Sequence, residues 1–475
     1  MHPVRAAAVA SRDKFVHTTM TTGTRRCIAL PALAPFLALI VLAACHGAPP
    51  PPPPAPRALG DSAAAALQWV QAHDAPIVLA DSTPTADERH EIGALAAGAR
   101  IVGFSELSEG TSEFPEIVLR TLLTLADSGF RGVAIQAPMP EALEVDRYVR
   151  SGVGDPRRLL RALGSWRWET REMLTFVGAL RRWNTTHPDH QLGFYGFEIP
   201  TAEHAVHVIE SLPDSVTGAP LKQWLTRTYA CVAVDESAHW GLEGRAADST
   251  FWNACGPATT AAADSVAALG RRLPATSRAS ADVAFAEEMA RLIQHHVSVG
   301  LRHMTRHDAN AEHVLFLANS FGADGRLVLW GGDVEMGRLT LKPNTVQTGV
   351  PLGQRLGERY RAIAFAFGDG VIRARVPSSG ARGAGEPGLS NARVVPPTPD
   401  SYEDVFSRAA PGAYWLDLRS LPKDAAGSWL RGPRPMRLIS ELYSPLLANA
   451  LVTPVEFPTY YDAVVFVKTV TPAHQ

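Results

Sequence analysis

Four short apolar runs in this chain end on a side chain that can move protons or hold a polar ligand: Glu106, Gln136, Glu198 and Asp333. After the first, the chain reads Leu107-Ser108-Glu109-Gly110-Thr111-Ser112-Glu113, and Glu335 stands two residues beyond Asp333. Gathered carboxylates can do general acid–base work when burial or a neighbouring like charge lifts a pKa toward neutrality. The same crowding suits a hard divalent cation with oxygen ligands, so no cofactor is required and a divalent cation stays open. Arg302 and Arg306 are four apart and could face the acidic edge together, with His307 directly after. The expected roles are catalytic for Glu106, Glu109, Glu335, Arg306 and His307, and substrate-binding for Gln136, Glu198, Asp333 and Arg302. Glu109 and Glu113 could share a helix face, but Glu113 reads better as an acidic helix start favoured by the dipole. His295, His296 and His303 read as packed or solvated residues of a helix. Nucleophile elbows, phosphate loops and dinucleotide glycine fingerprints do not occur where they could work.

The runs that carry these residues span 100–106, 132–136, 192–198 and 326–333, and two more cover 362–367 and 463–468. Near-continuous apolar runs are strands buried on both faces, as in a parallel sheet. Between them, 113–128 and 169–185 have the apolar spacing of helices. Strands alternating with helices imply an α/β fold, a mostly parallel sheet flanked by helices. Residues 201–320 lack a comparable strand run and read as a helical insertion. In open α/β sheets ligands bind outside the carboxyl ends of the strands, so the four strand-end residues should converge on one edge.

The N-terminus is an address. Residues 27–44 are apolar and uncharged, Arg25 and Arg26 precede them, and Leu42-Ala43-Ala44-Cys45 closes the segment. That is the pattern of a secretory signal over 1–44, with Met20 the better start. The ending resembles a bacterial lipobox, which makes Cys45 the lipidated residue. Pro49 to Pro54 and Pro56 make 45–57 a stiff spacer ahead of a domain over 58–475. The expected location is the cell envelope, with the lipid anchor in the outer membrane facing the periplasm. Cys231 and Cys255 are the remaining pair, and a disulfide is the default in an oxidising compartment. With 45 Lys+Arg against 47 Asp+Glu the net charge is −2, which removes the footprint of a nucleic-acid binder. At 46% hydrophobic and 19% charged residues, wholesale disorder is excluded as well.

The order of segments from about residue 100 to 470 resembles the erythromycin esterase family, within a wider group that includes ChaN-like haem-binding proteins. IVGFSELSEGTSEF, GFRGVAIQA, VDRYVRSG, WRWETREM, YGFE, RHMTRHDANAEHVLFL, LVLWGGDVEMG, LGERYRAIAFAFGDG, YWLDLR and YDAVVFV carry the likeness. The resemblance implies hydrolysis of an ester or a macrolide lactone, in an antibiotic response, by water that a loop histidine activates. It also implies a Gly-Glu-x-x-His-Gly loop whose Glu and final Gly correspond to Glu106 and Gly110. Here the histidine position is Glu109 and the leading glycine is Ser105. The acid expected at the next strand end is Gln136. An arginine expected in the following helix falls at Val118, with Arg120 nearby. The late His-Asn-x-His segment reads Gly332-Asp333-Val334-Glu335, and an Arg-Asp pair becomes Arg306-His307. A Glu can replace histidine as base only if its pKa is raised. Glu109 is the expected base, with Glu335 as the like charge that raises it. Two functions stay open: an ester or lactone hydrolase with a carboxylate-based site, or an inactive relative serving as an envelope lipoprotein that binds a small ligand or a metal. Partners are then a small ester or macrolide-like molecule and the membrane.

Overall fold

A computed structural model describes residues 57–79, 83–199, 202–212, 221–229, 249–272, 278–341, 347–378 and 385–475. The signal, Cys45 and the proline spacer, as well as Cys231, lie outside the described residues. The strands are β1 (Ala75–Pro76), β2 (Ile101–Glu106), β3 (Phe130–Pro138), β4 (Gly193–Glu198), β5 (Arg326–Gly332), β6 (Tyr360–Ser378), β7 (Gly385–Arg393), β8 (Ala413–Asp417), β9 (Arg434–Arg437), β10 (Val452–Val455) and β11 (Ala463–Val470). Nine of them form one sheet in the order β1-β8-β11-β6-β2-β5-β3-β4, with β7 on β6. The six strands from β11 to β4 run parallel, and all six contain runs expected from the sequence. The sheet is mixed because β8, β1 and β7 join it antiparallel. β8 is a five-residue strand and β1 a pair, too short to announce themselves by pattern.

Alternation within the apolar runs feeds two cores. Along β5, Leu327 and Leu329 join the core on one face, and Val328 and Trp330 join the core on the other. Val464 and Phe466 of β11 likewise point away from Val465 and Val467. Helices Glu113–Ala126, Met139–Ser151 and Arg171–Thr186 cover the second face. The helical insertion covers part of the first with Glu203–Glu210, Ser249–Gly270, Arg278–Gly300 and Arg306–Asn319. Both faces are buried, which is why the strands read as unbroken apolar runs rather than alternating ones. Within the insertion His313 Nδ1 lies 2.5 Å from Glu288 Oε1, and His295 Nδ1 lies 3.3 Å from His313 Nε2. Of the histidines expected to be packed or solvated, His295 and His296 are packed and His303 is exposed.

Candidate active site

Glu106 ends β2 and its register partner is Gly332 at the end of β5, so the loops after the two strands leave the sheet side by side. The loop after β2 is pinned by backbone bonds. Glu109 N–H donates to Ile439 O at 3.0 Å, and Gly110 O accepts from Arg373 N at 2.8 Å and from Ala473 N at 3.0 Å. Gly110 adopts φ +86°, and a Cβ there would lie 1.9 Å from Arg373 O, so only glycine lets the chain turn this tightly. Glu113 latches the end of β11, accepting from Thr471 N at 2.8 Å and from Thr471 Oγ1 at 2.7 Å. It is a structural residue. After β5 the chain turns through Asp333 at φ +47°, and Ser105 Oγ accepts from Met336 N at 2.8 Å, which aims Glu335 back at the sheet edge.

Two acid–arginine groups result, joined by one amide. In the first, Trp330 Nε1 donates to Glu106 Oε1 at 2.6 Å, and Arg167 Nε pairs with Glu109 Oε2 at 3.1 Å. In the second, Arg306 Nη2 lies 3.6 Å from Glu198 Oε1, and Glu335 Oε1 accepts from the Thr348 backbone N–H at 3.2 Å and from its hydroxyl. Gln136 bridges them. Its Oε1 accepts from Gly332 N at 2.9 Å and Arg167 Nη1 at 3.4 Å, while its Nε2 donates to Glu198 at 3.2 Å and Glu335 at 3.4 Å.

Burial sets the electrostatics. It pushes the Glu106 carboxyl up to about 7, against the pull of Arg167 and the Trp330 hydrogen bond. Glu109 is pushed up to about 8, again by burial first; Arg167 opposes, and the negative charges of Glu106, Asp333 and Glu441 add to the rise. Glu335 also rises to about 8 through burial and the Glu198 charge, with Thr348 and Arg306 opposing. Among the described residues no three His, Cys, Asp or Glu side chains converge to hold a metal ion. The carboxylates face arginines and hydrogen-bond donors instead, so the divalent-cation reading finds no ligand set here.

The structure thus brings together Glu106, Glu109, Gln136, Glu198, Glu335 and Arg306, with half-buried Asp333 close enough to act on Glu109. Three expectations need correction. Arg302 is exposed and bonds none of these residues, because the chain breaks helix between Gly300 and Arg306 and the two arginines share no face. His307 is half-buried beside Arg306 and makes no hydrogen bond or ion pair with the carboxylates. Glu335 is not the like charge acting on Glu109; it couples to Glu198 across Gln136. Arg120, the stand-in for a family arginine, is spent on a buried pair with Glu88 and a bond to Val78 O. The arginine that serves the site is Arg167, which sequence reasoning passed over although two tryptophans flank it. Thr348 was equally invisible, carrying no local signal.

The family model for erythromycin esterase matches residues 125–470. The chain belongs to the erythromycin esterase family. The match takes in Gln136, Arg167, Glu198 and Glu335, while the loop with Glu106 and Glu109 lies ahead of it. Solved structures share the fold. A Bacillus cereus protein superposes with a TM-score of 0.73 at 19% identity, covering 87% of this chain and 99% of that one. A succinoglycan biosynthesis protein gives 0.69 at 15% identity over 88% and 100%. A mutant of the erythromycin esterase EreC in its open conformation gives 0.61 at 16% identity over 84% and 98%.

Proposed function

We propose that this member of the erythromycin esterase family hydrolyses carboxylic ester or lactone bonds with a carboxylate pair in place of the family's histidine. The observation that carries the reading is the pair itself. Glu106 and Glu109 flank Arg167 at the sheet edge and titrate near 7 and 8, so close to neutral pH one is ionised and its neighbour protonated. A base and an acid then coexist at the pH where an imidazole would work. The test is purified protein against p-nitrophenyl acetate and erythromycin, with Glu106→Gln and Glu109→Gln as controls. Either substitution should cost the small ester about a hundred- to ten-thousand-fold in kcat. Erythromycin should turn over poorly or not at all, since the water-activating imidazole that the resemblance implies is absent. Robust erythromycin hydrolysis untouched by Glu109→Gln would put the catalytic centre elsewhere. The second reading is a relative that binds a ligand without turning it over, and the absence of the histidines that the resemblance implies favours it. Saturable macrolide binding with no ester turnover would decide for it.

The envelope location is proposed from the sequence alone. Cys45→Ala should release the protein from membranes or block its processing, and native protein found soluble and unlipidated in the periplasm would refute the anchor. A Cys231–Cys255 disulfide would stabilise the insertion by about 3 kcal/mol. Free reactivity of both thiols in the non-reduced protein would rule it out.

A further inference from the structure

A cavity of about 20 Å³ adjoins the first acid–arginine group, lined among others by Glu106, Thr111, Arg167, Thr170 and the indoles of Trp166 and Trp168. One water needs about 10–15 Å³, so the space accepts one and no larger guest. Most of its polar lining is engaged elsewhere. Trp166 Nε1 donates to Glu441 at 3.2 Å, Trp168 Nε1 to Gln136 O at 3.1 Å, and Thr170 Oγ1 caps its helix by accepting from Met173 N at 3.2 Å. Two buried atoms are not: the Thr111 hydroxyl and Arg167 Nη2 have no hydrogen-bond partner among the described residues. The Glu106 carboxylate uses Oε1 for Trp330, and its second oxygen accepts no bond among the described residues. Leaving a buried donor unpaired is costly, so two such groups on residues that line one water-sized cavity make a built water site.

We infer that a single water held by Thr111 Oγ1, Arg167 Nη2 and Glu106 is the nucleophile of this site, with Glu106 as its base and Thr111 and Arg167 as positioning residues. The assignment rests on the hydrolase reading and decides which of the two glutamates takes the proton. As the water oxygen bonds to the ester carbonyl carbon, its proton passes to Glu106 and the carbonyl π pair moves onto oxygen. Collapse of that adduct breaks the acyl–oxygen bond. The proton on Glu106 goes to the departing alkoxide, giving one carboxylic acid and one alcohol and restoring the carboxylate. Glu109 keeps the Arg167 guanidinium in place through its Nε and leaves Nη2 to the water.

The test joins a high-resolution crystal structure with p-nitrophenyl acetate kinetics on wild type, Thr111→Val and Thr111→Ser. Valine matches threonine in shape but lacks the hydroxyl, and serine restores it. The wild type should show one ordered water within hydrogen-bond reach of Thr111, Arg167 and Glu106. Thr111→Val should lose it and drop kcat about tenfold at unchanged KM, with Thr111→Ser near wild type. A purely structural role for Thr111 would lower stability without splitting kcat from KM. An empty or differently coordinated cavity in wild-type density overturns the water site whatever the kinetics. A water lost in Thr111→Val with kcat intact overturns its role as nucleophile and leaves the hydrolase reading standing. Absence of ester turnover in wild type defeats the hydrolase reading and with it the nucleophile, while the density still judges the water site.

Discussion

The two acid–arginine groups are built from the same residue types and differ in what burial leaves over. Around Glu335 the carboxyl is held on both oxygens: Thr348 gives two hydrogen bonds, Gln136 a third, and Glu198 shares Gln136 and Arg306. Around Glu106 and Glu109 one arginine, which lines a small cavity, serves a carboxylate and an amide and still has a buried amino group with no hydrogen-bond partner among the described residues. Desolvation lifts the glutamates in both groups, to about 7 and 8 in one and about 8 in the other. A raised pKa therefore does not by itself mark a reactive carboxylate. The group that borders a water-sized cavity can do chemistry, and the other positions it.

Breaking that contrast should show most at Glu106. Glu106→Gln is expected to cost about a hundred- to ten-thousand-fold in kcat, whereas Glu335→Gln stays within about tenfold, measured side by side on p-nitrophenyl acetate. Comparable losses at both would erase the distinction.

Next comes pH. With Glu106 needed as the ionised base, kcat/KM should rise through a pH near 7, and Glu335→Gln should not move that rise. Stability carries the opposite signature. All three glutamates have folded pKa values above their ordinary 4.5, so the folded state binds more protons than the unfolded one. Their contribution is complete below about 4.5, falls as pH rises toward 8, and levels off above it. Denaturant titrations across that window should show the decline, with a shallower slope in Glu335→Gln as in Glu109→Gln. A flat profile would mean that burial does not lift these groups.

The bridge can be cut. Gln136→Leu removes four hydrogen bonds and leaves Glu198 and Arg167 each a partner short, so stability should fall by about 2–4 kcal/mol in chemical denaturation. A smaller effect is expected from Thr348→Val, about 1 kcal/mol of stability with kcat nearly unchanged. Smallest of all, Arg302→Ala should alter neither quantity, since its side chain stands in solvent.

Much of this architecture is legible without coordinates. The six parallel strands declare themselves because a strand covered on both faces must be apolar throughout, and Glu106, Gln136 and Glu198 mark where each run meets solvent or ligand. The carboxyl edge then gathers them by topology alone. Strands β1, β7 and β8 are not legible, because short or half-exposed segments carry no distinctive period. The glutamate loop is also visible in sequence, and so is the need for glycine at 110.

What the chain order cannot say is which charges meet. Arg167, Arg302, Arg306 and Arg120 are equivalent as letters. Tertiary packing sends Arg120 to Glu88, leaves Arg302 in water, sets Arg306 beside Glu198 and lays Arg167 over the Trp168 ring against Glu109. Electrostatic roles depend on distances of a few ångströms and on local burial, both of which arise only when segments remote in sequence come together. Residue types and strand ends made an acidic site legible in the sequence, but only the fold decided that Gln136 divides it and that the Glu106 half borders a small cavity.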